Sequence, residues 1–93
     1  MFKLGQTLAT PGALAALEQA GQGPAQFLAR HQSKDWGEVC DDDKLANEES
    51  LKDGSRLLSA YRTKLGVKIW IITESADDQG LREATTILLP EEY

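Results

Sequence analysis

The sequence predicts an α+β fold in which three short helices, N-terminal and central, pack on a C-terminal three-stranded antiparallel meander. Three observations predict it. Helix start and stop residues recur through the first half of the chain, apolar residues between them fall three or four apart, and after Gly54 the apolar period shortens to two. A chain of 93 residues, 41% hydrophobic and 27% charged, fits one globular domain over residues 1–93, with enough apolar surface to form a core.

The elements follow in order. Phe2, Leu4 and Leu8 fall on alternate positions with polar Gln6 among them, which allows an extra N-terminal edge strand before Pro11 and Gly12. Thr10 followed by Pro11 starts the first helix: a hydroxyl caps free amides, and proline in the first turn loses no needed hydrogen bond. Leu14 and Leu17 share a face of that helix with Ala13, Ala16 and Ala20, and Gly21 ends it. Gly23 and Pro24 repeat the start signal for a second helix to about Gln32, with Phe27, Leu28 and His31 on one side. Asp35, Trp36 and Gly37 read as a turn that folds the tryptophan onto the core. Asp41 or Asp42 can cap a third helix, whose early acids suit its positive end, whose Leu45 and Leu51 are expected inward, and which Gly54 stops.

Beyond Gly54 the strands begin. Arg56–Thr63 alternates as a strand, Lys64, Leu65 and Gly66 make a short loop, and Val67–Glu74 returns. Val67, Ile69 and Ile71 lie on one side of the return strand and Trp70 and Ile72 on the other, so it is apolar on both sides and belongs inside a sheet. Polar residues 75–82 make a mobile loop, and Ala84–Leu89 supplies the last strand, ended by Pro90.

Composition narrows the class of function. The net charge is −5, and the segment Glu38–Asp53 alone carries seven acids against Lys44 and Lys52, so the rest of the chain is balanced. Such a block repels nucleic-acid phosphates and can attract basic protein surfaces, though it commonly serves only as a solvated helix face. The single cysteine, Cys40, cannot form an internal disulfide, which fits a reducing cytoplasm. The apolar run Leu8–Leu17 is broken by Thr10, Pro11 and Gly12 and makes a poor leader core; no segment has the length of a membrane span.

Sites of chemistry fail on spacing. Gly21-Gln22-Gly23 follows a predicted helix instead of a strand, against a dinucleotide loop. An EF-hand starting at Asp41 would place Leu45, Ala46 and Lys52 at ligand or turn positions, and one cysteine with one histidine cannot make a structural zinc site. No cofactor or metal is expected. His31, Asp35 and Cys40 are the residue types of a nucleophile, base and orienter, but a thiol beside an acidic run is poorly activated. Cys40 therefore reads as a small buried hydrophobe and His31 as a packed helix-end residue. Arg56, Arg62, Lys64 and Lys68, with His31 and a stacking Tyr61, form the one nucleic-acid signal, a basic hairpin that also serves as an ordinary charged sheet edge.

The segments His31-Gln32-Ser33, Asp35-Trp36-Gly37, Arg56–Tyr61, Lys68–Glu74 and Thr85–Tyr93 resemble a group of small uncharacterised plasmid-related proteins of bacterial plasmids and integrated conjugative elements. The resemblance covers about the last two thirds of the chain. It implies a genomic setting and no catalytic residue. The leading expectation is thus a non-enzymatic interaction or accessory protein of a mobile element, binding a protein partner or a second copy. Its interaction surface would be Trp70, Ile72 and Leu88, on the sheet face that three helices leave uncovered, unless Phe2, Leu4 and Leu8 fold over them. The alternative is a small nuclease or RNA-binding module using the basic hairpin, with nucleic acid the less favoured partner.

Overall fold

A computed structural model describes residues 2–93. Its strands are β1 (Gln6–Ala9), β2 (Leu57–Arg62), β3 (Lys68–Thr73) and β4 (Ala84–Leu88), and its helices α1 (Pro11–Gln19), α2 (Pro24–Gln32) and α3 (Asp41–Asp53). A 3-10 turn follows at Pro90–Glu92. The α+β class holds, and β2, β3 and β4 form an antiparallel run with β3 inside the sheet. The extra edge strand allowed at the N-terminus is present as β1, and the expectation of an antiparallel sheet is corrected in one respect. The sheet has four strands in the order β1-β4-β3-β2 and is mixed, because β1 runs parallel to β4. No hairpin joins β1 to β4; three helices and two strands intervene, so no tight turn forces them antiparallel.

The helix ends follow local chemistry. Thr10 Oγ1 accepts from the Ala13 amide at 3.2 Å at the start of α1, and the Glu92 carboxylate reinforces that end by accepting from the Gly12 amide at 3.2 Å and the Thr10 hydroxyl at 2.5 Å. Gly54, at φ 82°, terminates α3. On α3 the inward pair is Asn47 and Ser50, while Leu45 is 66% exposed, which corrects the expectation for Leu45. The helix lies along the edge of β2, where unpaired backbone groups need polar partners more than the core needs another leucine.

One sheet face carries Tyr61, Ile69, Ile71 and Ile87, which pack with Ala13 and Leu17 of α1 and Phe27 of α2. Each large apolar side chain buried there contributes roughly 1.5–3 kcal/mol. The other face carries Leu58, Trp70, Ile72 and Leu88. It is not left open: Ile72 is 5% and Leu88 6% exposed, while Leu58 and Trp70 remain half-buried. The C-terminal turn brings Tyr93 edge-on to Trp70 at 5.9 Å, and Arg56 lies over the Tyr93 ring at 5.3 Å and donates to its hydroxyl. The expected N-terminal cover sits elsewhere. Phe2 stacks on Trp36 at 6.2 Å and meets His31 edge-on at 5.3 Å, both on the helix side.

Candidate functional site

The helix-covered face holds a polar chain that the apolar pattern conceals. His31, in the last turn of α2, is fully buried; its Nδ1 lies 2.5 Å from Ser59 Oγ of β2 and its Nε2 2.8 Å from Thr73 Oγ1 of β3. Thr73 Oγ1 lies 2.8 Å from Thr85 Oγ1 of β4, which donates to the Leu4 carbonyl at 2.7 Å, just before β1. The proton positions follow from the far end. A carbonyl only accepts, so the Thr85 proton goes to Leu4; Thr73 must then donate to Thr85, His31 Nε2–H to Thr73, and Ser59 to His31 Nδ1. Burial, and after it the Arg82 charge, push the His31 pKa down to about 4, so the imidazole is neutral at pH 7. Ser59 and its base thus have the bonding of a nucleophile pair, yet both are 0% exposed. The chain ties β2, β3 and β4 to the N-terminal segment.

The residues singled out from the sequence are dispersed. Cys40 is exposed at the start of α3 beside Asp41, Asp42 and Asp43, correcting the expected burial; a residue ahead of a helix on an outer edge has no core to enter. Asp35 pairs with Arg30 at 2.7 Å, which holds its carboxyl below the usual range. His31, Asp35 and Cys40 therefore form no triad. Tyr61 is 1% exposed, donates to the Asp35 carbonyl at 2.5 Å and lies under the Arg30 guanidinium, so its ring cannot stack on a base; burial pushes its phenol up to about 12. Arg62 is paired with Glu38 at 2.9 Å, Arg56 is engaged by Tyr93, Lys64 stands in the hairpin loop, and Lys68 is exposed opposite Arg62. His31 lies on the other side of the sheet from these cations.

An open groove was missed from the sequence. It runs between the end of α3, the N-terminal segment and the β3–β4 loop, with Phe2, Leu51 and Leu81 among its lining residues. Five carboxylates line it, Asp53, Glu74, Asp77, Asp78 and Glu83, against Lys3, Lys52 and Arg82. Arg82 is largely spent inside the protein, donating to the carbonyls of Ser50 at 3.0 Å, Ser55 at 2.7 Å and Glu74 at 3.0 Å. The loop expected to be mobile is internally bonded: Asp77 Oδ1 accepts from the Gln79 and Leu81 amides at 2.9 Å each, and the Ala76 amide donates to Gly54 O at 2.7 Å. The signal available in the sequence was the arginine after an acidic loop, since Arg82 is what fastens that loop to α3.

No family model matches the chain, and no curated protein or solved structure shows significant similarity to it. No helix among the described residues is long and apolar enough to cross a membrane.

Proposed function

We propose that this chain is a non-enzymatic interaction protein, an accessory of a bacterial mobile element, and that its groove receives a basic segment of a protein partner. The observation that carries this reading is the groove itself, a concave surface with an acidic rim and apolar side chains, on a chain of net charge −5. Carboxylates around an apolar cleft suit lysine or arginine side chains flanking one or two apolar residues, and their field speeds encounter with a cationic partner. The mobile-element setting rests on the segmental resemblance alone.

The test is fluorescence anisotropy with a labelled lysine- and arginine-rich amphipathic peptide. Binding should weaken with salt and fall by about tenfold or more when Asp78→Lys and Glu83→Lys are combined, a loss of about 1.4 kcal/mol. Equal binding by parent and variant would remove the groove from the account. Tight, salt-sensitive binding of mixed-sequence RNA would instead favour the alternative of an RNA-binding module built on Arg56, Arg62, Lys64 and Lys68.

A further inference from the structure

We infer that the free edge of β1 pairs antiparallel with the β1 of a second copy, joining two four-stranded sheets into one across a two-fold axis at Leu8. The argument starts from the backbone. The Gln6 amide donates to Glu83 O at 2.9 Å and the Thr10 amide to Ile87 O at 3.0 Å, so even-numbered residues of β1 face β4. By the alternation of a strand, the N–H and C=O groups of Thr7 and Ala9 face outward, and among the described residues they have no backbone partner. An antiparallel register that sets Leu8 opposite Leu8 of the second copy sets Thr7 opposite Ala9 and Ala9 opposite Thr7. Those are hydrogen-bonded pairs, so four bonds form and every outward group of Thr7 and Ala9 is satisfied in both copies.

The side chains fit the same register. Leu8 is 46% exposed, although a strand edge normally discourages pairing with charge or proline. In the two-fold arrangement the two leucines meet as a non-hydrogen-bonded pair, with Cα atoms about 4.5 Å apart, where side chains approach most closely. Charge points the same way. Two chains of net −5 repel, and β1 lies in the stretch with no acid before Glu18 and with Lys3 as its charged residue. The contact is isologous, so it closes at two copies. It is independent of the groove reading.

Sedimentation velocity across micromolar to millimolar protein is expected to show a reversible monomer–dimer equilibrium. Thr7→Pro removes an outward amide without touching the β1–β4 ladder, and Leu8→Lys places like charges opposite each other. Each should raise the dimer dissociation constant by about thirtyfold or more, with unchanged circular dichroism. Leu65→Lys, at a leucine 64% exposed on the hairpin loop, should leave it unchanged. In a Cys40→Ser background, Leu8→Cys should oxidise to a disulfide-linked dimer, whereas Gln6→Cys, with Cα atoms about 13 Å apart in this register, should not. Amide exchange supplies a readout that needs no substitution: Thr7 and Ala9 become protected as the dimer fills. A chain monomeric throughout the range, a dimer that survives Thr7→Pro, or a parent dimer whose Thr7 and Ala9 amides still exchange freely overturns the proposal.

Discussion

The two edges of the sheet are finished in opposite ways. On the β2 edge every outward group of Leu58 and Ala60 has a partner: the Asn47 amide of α3 donates to Leu58 O at 2.7 Å and accepts from its N–H at 3.0 Å, while Trp36 O accepts from the Ala60 amide and the Glu38 amide donates to Ala60 O. The β1 edge has no such cover and is a four-residue strand with little burial. One edge is closed by the protein's own chain and the other is left as a pairing surface. A strand between hydrogen-bonded neighbours opens only with its surroundings, whereas a terminal strand can fray alone. The same substitution should therefore cost different amounts at the two edges.

Glycine substitutions test this most strongly. Gly37 has φ 74°, and a Cβ there would fall 2.0 Å from Ala60 O and 2.6 Å from the Tyr61 ring. Gly37→Ala should lower stability by about 3–5 kcal/mol, combining left-handed backbone strain with a forced separation of the turn from β2. Gly5 is as tight, with a Cβ 2.3 Å from Arg82 O, yet Gly5→Ala should cost less in a denaturation midpoint, because β1 can detach by itself. Equal losses would show that β1 is as integral as β2.

The next effect is in pH, and it concerns the polar chain that links the edges. The folded pKa of His31, about 4, lies below the ordinary value of 6.5, so between them the unfolded chain binds the extra proton. Stability is full above pH 6.5 and declines as pH falls toward 4, by up to about 3 kcal/mol. His31 is the chain's single histidine. The slope between pH 6.5 and 5 should therefore disappear in His31→Gln; its persistence would assign the slope to another group.

Smaller effects are expected from the edge seal and the far end of the chain. Asn47→Ala leaves the Leu58 N–H and C=O without their partner and should cost about 1–3 kcal/mol. Thr85→Val removes the donor to Leu4 O and should cost about 1–2 kcal/mol, with amide protection lost first around β1. Protection lost first in β2 would contradict the order proposed for the two edges.

Much of this architecture was legible residue by residue. Thr10-Pro11, Gly23-Pro24 and Gly54 marked helix limits because capping depends on a few adjacent residues. The apolar residues on both sides of β3 placed it inside the sheet because each strand face needs its own cover. Ser59, Thr73 and Thr85 were not read, although they share strand parity with Tyr61, Ile71 and Ile87 and so point into the helix-covered core. A small hydroxyl residue at an inward position was the available signal of a buried hydrogen-bonded chain. The groove was harder to read, since its walls come from three separated segments and only Arg82, after the acidic loop, marked where they join.

By itself, then, the sequence determined the helices, the hairpin and the central place of β3, all of which rest on local capping, turn chemistry and period. Tertiary structure alone decided that β1 runs parallel to β4, that Asn47 closes one edge, that Tyr93 covers Trp70, and that His31 bonds to the Ser59 and Thr73 hydroxyls, with Thr85 joined through Thr73. The physical reason is the same in each case. These contacts join residues far apart in the chain, and what selects them is the need of buried polar groups and exposed strand edges for partners, a need that exists only once the sheet has formed.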